Sequence, residues 1–229
     1  MSIVHEIRDR QKALKVNDTD VAIVVGVGGI GSWVALNLGL SGCVKNLVLI
    51  DPDTVESSNL NRTPFRLCDI GAFKVDALQY LILERRPINM TCYREKTNEE
   101  MAKMLREMHL NNAEEDKYII FDCRDEVFTD LYELPAKYYK VGYDGLDITI
   151  DGDPKNTPVW GEATGYRVIP SFICPAQLAG NLVVMDALCQ PIGKVDEDYP
   201  EDSIEEGRLE SVVSFSCTDL LKHIVKLFS

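Results

Sequence analysis

Short hydrophobic runs alternate with helix-length amphipathic segments along the first half of the chain. The apolar runs at Val21–Val25, Leu47–Ile50 and Tyr118–Phe121 are continuous, which is typical of strands that are buried on both faces. Between the runs, apolar residues recur with the period of a helix. The pattern predicts strands at these three runs and at Ile88–Tyr93, and helices at Ile30–Gly42, Lys74–Arg85 and Glu99–His109. Such alternation favours a mostly parallel sheet with right-handed crossovers.

The second half has a different pattern. Lys140–Gly142 and Leu146–Ile150 are typical of strands joined by a glycine-containing turn, and Gln177–Leu188 is typical of a buried helix. A short strand at Val212–Phe215 and an amphipathic helix at Thr218–Phe228 end the chain. The predicted fold class is therefore α/β and Rossmann-like, with a mostly parallel sheet, flanking helices and an antiparallel extension in the C-terminal half. We expect one domain over residues 1–229.

A glycine-rich turn follows the first predicted strand directly. Four glycines lie within six residues, and Asp51 follows at the end of the next strand: these glycines are Gly26, Gly28, Gly29 and Gly31. Glycines let the backbone turn sharply and approach phosphates, while free N–H groups at the helix start face their negative charge. Asp51 is placed where a carboxylate accepts hydrogen bonds from a ribose. The sequence therefore predicts nucleotide binding.

The loop after Asp51 contains more polar and charged residues than nicotinamide binding needs. It adds Asp53, Asn59, Asn61 and Arg62, and Lys74 follows. Cations beside a triphosphate meet the electrostatic need of reactions at phosphorus. The simpler structural alternative is an Asx-rich loop that caps the next helix, with both cations exposed. An NAD-dependent oxidoreductase is a further alternative, but the Asn and Arg residues have no role in that chemistry.

The amino-acid composition of the chain disfavours several classes of function. The net charge of −13 disfavours a broad surface for nucleic acid or anionic membrane. Seven cysteines without paired metal-ligand spacing predict free thiols in a reducing cytoplasm and no zinc site. Val21–Val44 is uncharged and long enough to cross a membrane, but its six glycines favour a buried strand and helix instead. The three histidines lie near none of these motifs, which disfavours a Ser-His or Cys-His hydrolase.

Taken together, four motifs resemble the ThiF/MoeB-type, E1-like superfamily of ubiquitin-activating enzymes. They are GVGGIGS at 26–32, DPDTVESSNLNR at 51–62, DIG with Lys74 at 69–74, and FDCRD at 121–125. The resemblance covers roughly residues 19–190. It implies one adenylation domain, with a nucleotide-binding half at about 19–135 and a substrate-binding half at about 136–229. It also implies MgATP-dependent adenylation of the C-terminal carboxylate of a ubiquitin-like or sulfur-carrier protein, with thioester or sulfur transfer as possible later steps.

The resemblance also implies roles for individual residues. The four glycines would cradle ATP and Asp51 would hold the ribose, with Asp53 and Asn61 in the same nucleotide-binding loop. The phosphates would be lined by Asn59, Arg62 and Lys74, the last two catalytic, and Asp125 would be catalytic and bind Mg²⁺. Cys174 is a candidate nucleophile at a helix start, where thiolate is favoured, although buried packing is the ordinary role of cysteine.

Departures from the family pattern leave other readings open. Glu126 stands where the family usually has Asn, and Thr129 and Asp130 stand where an Arg is frequent. A non-catalytic subunit that completes another chain's site is therefore an alternative. The Gly-Ser-Trp at 31–33 resembles members that dehydrate a modified tRNA base, although the acidic charge counts against RNA. A dimer is expected, and whether it is a homodimer or a heterodimer stays open.

Overall fold

The computed structural model describes residue 11 and residues 16–110, 117–125, 131–151, 171–189 and 213–216. Within them, seven strands form one sheet in the order β3-β2-β1-β4-β5-β6-β7. The strands are β1 (Thr19–Val25), β2 (Val44–Ile50), β3 (Asn89–Tyr93), β4 (Tyr118–Asp122), β5 (Lys137–Asp144), β6 (Asp147–Asp151) and β7 (Val213–Ser216). The first five strands in that spatial order are parallel, and β6 and β7 are added antiparallel. The predicted fold class is confirmed.

Four helices of the described residues cover the two faces of the sheet. They are α1 (Gly29–Ser41), α2 (Lys74–Leu83), α3 (Glu99–His109) and α4 (Ile173–Leu188). Hydrophobic residues of α1, α2 and α4 share one core with one face of the central strands, whereas those of α3 pack on the other face. Strand β1 shows the division: Ala22 and Val24 belong to the first core, and Val21, Ile23 and Val25 to the second. Alternate strand residues point to opposite faces, so a fully apolar strand serves both cores.

Most predicted elements are present with shifted ends. The largest shift is at α4, which begins at Ile173 rather than at Gln177. The predicted start lies after Pro175, but proline is tolerated in the first turn because its missing N–H has no intrahelical partner there. Strand β2 begins at Val44, three residues before its apolar run, because parallel pairing with β1 extends to that residue. The predicted helix at Thr218–Phe228 lies outside the described residues.

The strand order fixes where a ligand site can form. The chain runs from β1 outward to β2 and β3, and then returns to the other side of β1 for β4. In open α/β sheets, ligands bind at the carboxyl ends of the strands where the winding reverses in this way. That point lies between β1 and β4, above which the glycine turn and residues 123–125 meet.

A membrane-spanning helix needs about 20 predominantly apolar residues. Across the parts of the chain that the structure describes, no helix is long and apolar enough to cross a bilayer. Helix α1, which contains much of the uncharged stretch in the sequence, is instead largely buried.

Candidate functional site

A cavity of about 390 Å³ opens at the carboxyl ends of β1, β2 and β4. Its lining comes from the glycine turn, the loop after β2, the loop after β3, the residues after β4, and strand β5. Nine of the residues predicted from sequence line it: Gly26, Gly28, Gly29, Asp51, Asp53, Asn59, Arg62, Lys74 and Asp125. Residues that are far apart in sequence are thus gathered around one space.

The glycine turn is shaped by close backbone contacts. Gly26 has φ +78°, and a Cβ there would lie 3.1 Å from the backbone of Cys123 and Arg124. A Cβ on Gly31 would lie 1.9 Å from the carbonyl oxygen of Gly26, so only glycine fits. At Gly28, by contrast, an added Cβ would meet nothing within 4 Å. The turn is therefore tight on its protein side and open on its cavity side, which is the shape of a phosphate cradle.

Asp51 directly follows β2 and links the glycine turn to the next loop. Its two carboxylate oxygens accept the backbone N–H groups of Val27 and Asp53, each at 2.8 Å. Burial raises the pKa of Asp51, against the opposing charge of Lys74. A carboxylate has about four lone-pair positions, so each oxygen retains acceptor capacity for a ligand hydroxyl.

Lys74 begins α2 and lies between two carboxylates. Its Nζ donates to Asp53 Oδ2 at 2.8 Å and lies 3.9 Å from Asp51 Oδ1. The Asp53 side chain is 64% exposed, whereas that of Lys74 is 12% exposed. Because Asp53 faces solvent, the ammonium group can exchange this partner for an anion in the cavity at little cost.

Arg62 and its neighbours form a second cationic wall. Asn59 is buried, and its side-chain oxygen accepts the N–H of Glu56, which fixes the turn at 57–59. The Arg62 guanidinium donates to the carbonyl of Ser58 at 2.6 Å and to Asn61 Oδ1 at 2.9 Å. Trp33 Nε1 of α1 donates to the Arg62 carbonyl at 2.9 Å. These contacts hold the loop against the helix that carries the glycine turn.

Opposite this wall, on the α3 side, lies a buried ionic cluster that the sequence interpretation missed. Asp122, at the end of β4, accepts from Arg124 Nε at 2.9 Å and Nη2 at 2.6 Å, from Tyr138 at 2.7 Å and from Lys140 at 3.2 Å. Lys140 Nζ also donates to the Arg124 carbonyl at 2.6 Å. The side chains of Asp122 and Lys140 are both fully buried.

This cluster lowers the pKa of Asp122. Burial alone would raise it, but the hydrogen bonds from Arg124 and the charges of Arg124 and Lys140 outweigh that effect. Through these contacts Asp122 orients the Arg124 side chain. The sequence held one signal: Lys140 is a charge within a strand whose neighbours are core residues, and such a charge needs a buried partner.

The cavity thus has two ends, which lie on opposite faces of the sheet. We define the glycine end as Gly26, Gly28, Gly29, Asp51, Arg62 and Lys74. We define the arginine end as Thr97 and Arg124, which line the cavity, together with the buried residues Asp122, Tyr138 and Lys140 behind them. Arg124 Nη1 contacts Thr97 Oγ1. Because Thr97 follows β3 and Arg124 follows β4, this contact spans the ends of β1 and β2, which lie between those strands.

Three residues predicted for the site do not line the cavity. Gly31 packs under the turn against Gly26. Asn61 donates to the carbonyl of Ser171 at 3.1 Å, which links the loop after β2 to the chain before α4. Cys174 is exposed in the first turn of α4. Cys123 does line the cavity, and burial raises the pKa of its thiol, so it packs there as the neutral form.

Tyr143 of β5 is a further lining residue that was not anticipated. A Cβ on Gly29 would lie 2.9 Å from its hydroxyl oxygen, so the ring closes directly over the glycine turn. Burial raises the pKa of Tyr143, and its hydroxyl is hydrogen-bonded to Ser171. An aromatic residue in a strand is ordinarily a core residue, and no feature of the sequence distinguished this one.

The donor set suits a metal that is carried by a ligand rather than by protein alone. Among the described residues, no group of three His, Cys, Asp or Glu side chains could hold a metal ion. Asp125 is exposed at the rim of the cavity. Mg²⁺ is commonly bound by one or two carboxylates together with substrate phosphates. Asp125 therefore fits as one ligand of a phosphate-bound magnesium ion.

A family model and individual proteins both match the sequence of this chain. A family model described as the ThiF family matches residues 3–134. The chain is 36% identical over 172 residues to adenylyltransferase and sulfurtransferase MOCS3 of Drosophila virilis, covering 73% of this chain and 36% of that protein. It is 33% identical over 201 residues to tRNA threonylcarbamoyladenosine dehydratase 2 of Saccharomyces cerevisiae, covering 83% and 44%. The chain thus spans less than half the length of these relatives.

Solved structures share the fold. PaaA superposes with a TM-score of 0.60 at 20% identity, covering 87% of this chain and 61% of that one. The E. coli MccB structure with ATP superposes with a TM-score of 0.53 at 23% identity, covering 79% and 56%. At these identities the likeness concerns the architecture alone.

Proposed function

The chain belongs to the ThiF family, as its motifs predicted, and on that premise we propose that it is an ATP-dependent adenylating enzyme. Its substrate would be the C-terminal carboxylate of a small ubiquitin-like or sulfur-carrier protein. The observation that carries this proposal is the glycine end of the cavity. There an open phosphate cradle, a buried acid and two cations surround one space.

The contacts at that end suit a nucleoside triphosphate. The phosphates would lie at the start of α1, against Gly28, where an added Cβ would project into open space. Asp51 is held by two backbone N–H groups and would accept hydrogen bonds from the ribose hydroxyls. Arg62 and Lys74 would donate to the phosphates, with Lys74 giving up its exposed partner Asp53.

Adenylation needs little from the protein beyond positioning and charge. An oxygen of the ionised carboxylate attacks the α-phosphorus and forms the acyl-adenylate. The bond from that phosphorus to the bridging oxygen breaks, and pyrophosphate leaves with the electron pair. Arg62 and Lys74 would neutralise the charge that develops on the leaving group. Mg²⁺, held by Asp125 and the phosphates, would add Lewis-acid stabilisation to the same charge. No general base is required, because the attacking group is already ionised.

A later transfer step is proposed for Cys174. It is exposed in the first turn of α4, where the helix dipole favours an anion. Since it does not line the cavity, a thioester there would require movement of the activated tail after adenylation. A dimer, of identical or different chains, is part of the same proposal.

ATP–pyrophosphate exchange in the presence of candidate carrier proteins tests the proposal. We expect exchange with wild-type chain and a loss of roughly 10²- to 10³-fold in Lys74→Ala and Arg62→Ala, the effect of removing one preorganised transition-state donor. Lys45→Ala is the matched control, because Lys45 is exposed and pairs with Asp20 at the other end of the sheet. A carrier with a C-terminal carboxamide should give no exchange.

Each variant has an outcome that counts against its assigned role. Full exchange in Lys74→Ala would remove the phosphate role of that residue. Loss of exchange in Cys174→Ala would exclude a purely later role for the thiol. Absence of ATP binding by the wild-type chain would contradict the proposal as a whole.

A tRNA-base dehydratase is the second candidate. The yeast tRNA threonylcarbamoyladenosine dehydratase 2 aligns over 83% of this chain, more than the 73% covered by the MOCS3 relative. The net charge of −13 counts against it, because RNA binding requires phosphate contacts by local Lys and Arg. Exchange stimulated by tRNA and not by carriers, with affinity that falls steeply with salt, would favour the dehydratase.

A further inference from the structure

The arginine end of the cavity has no part in the chemistry proposed above, yet its cation is among the most firmly held in the described chain. Two nitrogens of the Arg124 guanidinium donate to Asp122, at 2.9 and 2.6 Å, and a third contacts Thr97. Its backbone is fixed as well, because the N–H donates to Asp122 and the carbonyl accepts from the fully buried Lys140. A side chain held in this way is preorganised, so a ligand meets it at little entropic cost.

The order of groups along the cavity indicates which part of a nucleotide reaches Arg124. The phosphate cradle and Lys74 lie on the α1 and α2 side of the sheet. Asp51, the expected ribose acceptor, directly follows β2, which lies between β1 and β3. Thr97 and Arg124 lie beyond it, next to the start of α3 at Glu99. With the phosphates at one end and the ribose at the middle, the base extends toward Arg124.

The hydrogen bonds also determine how Arg124 can contact a base. Three of its guanidinium nitrogens direct N–H groups at protein acceptors, which lie in the plane of the group. These in-plane partners do not cover the faces of the guanidinium, and because Arg124 lines the cavity, a flat ligand there can approach one of those faces. Arginine faces stack on aromatic rings, and nucleobases are recognised in this way.

We propose that Arg124 is the stacking platform for the nucleotide base, with Asp122, Lys140 and Thr97 as positioning residues that set its plane. The proposal rests on the proposed function, since it assumes that a nucleotide binds in this cavity. It assigns a specificity-determining role to a residue that the family resemblance did not identify. It also separates the cations of the site into two kinds: Arg62 and Lys74 contact phosphate, and Arg124 contacts the base.

Calorimetric titration of ATP, ADP, AMP and inorganic tripolyphosphate onto the wild-type chain, Arg124→Ala and Lys74→Ala tests this division. If Arg124 stacks on the base, Arg124→Ala weakens ATP, ADP and AMP by the same factor, about 5- to 30-fold, and leaves tripolyphosphate unchanged. Lys74→Ala should weaken ATP and tripolyphosphate far more than AMP. Arg94→Ala is the matched control, because Arg94 is an exposed arginine before Thr97 that pairs with Asp76 outside the cavity lining.

A second variant covers the risk that Arg124→Ala disturbs the buried cluster. Thr97→Val keeps the shape and the charge but removes the hydroxyl that orients the guanidinium. We expect a smaller loss, about 2- to 5-fold, again equal for ATP, ADP and AMP, in a chain with wild-type thermal unfolding. A merely structural role would lower stability without this equal loss across the three nucleotides.

The results that would overturn the role of Arg124 differ from those that would overturn the proposed function. Weaker tripolyphosphate binding in Arg124→Ala, or a larger loss for ATP than for AMP, would make Arg124 a phosphate ligand and overturn the proposal. Unchanged nucleotide affinity in both Arg124→Ala and Thr97→Val would overturn it as well, while the proposed adenylation would stand. Failure of the wild-type chain to bind ATP would instead overturn the proposed function.

Discussion

At the glycine end of the cavity a cation pairs with an exposed carboxylate, whereas at the arginine end the charges pair with fully buried partners. Lys74 contacts Asp53, which is 64% exposed, while Asp122 and Lys140 are both completely buried. An exposed pair is weak and exchanges easily. Breaking a buried pair by removing one member leaves an uncompensated charge, which is costly. The two ends therefore differ in kind: one can change partners when a ligand arrives, and the other is fixed beforehand.

The largest expected effect comes from removing the buried acid. Asp122→Ala leaves Arg124 and the buried Lys140 without their common carboxylate. We expect a loss of about 3–5 kcal/mol in the free energy of unfolding, the usual cost of breaking a buried ion pair. Urea unfolding at neutral pH measures it. A loss below about 1 kcal/mol would mean that this end is no more rigid than the other.

The next largest expected effect is on ATP affinity, when a methyl group is added to the phosphate cradle at Gly28. In Gly28→Ala the new methyl group meets no protein atom within 4 Å, so we expect the unfolding free energy to change by less than about 1 kcal/mol. ATP affinity should fall at least about tenfold, because the methyl group occupies the space assigned to phosphate. Gly31→Ala is the contrasting variant: its Cβ would lie 1.9 Å from the Gly26 carbonyl oxygen, so this methyl group should lower the stability of the fold itself. Unchanged ATP affinity in Gly28→Ala would place the phosphates elsewhere.

The two buried acids should respond to pH in opposite directions. Asp51 has a raised pKa, so its contribution to stability is present below its unfolded pKa of about 4 and is lost as the pH rises through the folded value. Asp122 has a lowered pKa, so its contribution is present above about pH 4 and is lost as the pH falls through the folded value. Relative to wild type, Asp51→Asn should therefore gain stability with rising pH and Asp122→Asn should lose it. Urea titrations from about pH 3 to 7 compare the slopes, and slopes of equal sign would contradict the assignment.

The smallest effect is expected for the exposed partner of Lys74. Asp53→Ala removes a hydrogen-bonded carboxylate that is largely in solvent. We expect the free energy of unfolding to change by at most about 1 kcal/mol, as for other surface ion pairs. A loss as large as that of Asp122→Ala would show that the two ends do not differ as described.

The two ends also differ in how far the sequence predicted them. The glycine end follows from local patterns: a glycine-rich turn after an apolar run, and an acid at the end of the next run. The core strands could be predicted for the same reason, because strands buried on both faces are continuously apolar. The motifs after Asp51 are contiguous, so their residues remain together in the fold.

The arginine end depends on contacts between segments that the sequence separates. Arg124 contacts Thr97 only because β4 lies on the other side of β1 from β2 and β3. No single segment of the sequence predicts that strand order. Tyr138 and Lys140 join Asp122 through the pairing of β4 with β5. The predicted start of α4 is wrong for a different reason: it lies after Pro175, although proline is tolerated in the first turn of a helix.

The most direct test is a crystal structure of the chain with a non-hydrolysable ATP analogue. The account predicts the triphosphate against Gly28 at the start of α1, with Lys74 turned from Asp53 toward the phosphates, and the ribose at Asp51. Phosphates bound beside Arg124, or a nucleotide bound outside this cavity, would contradict it.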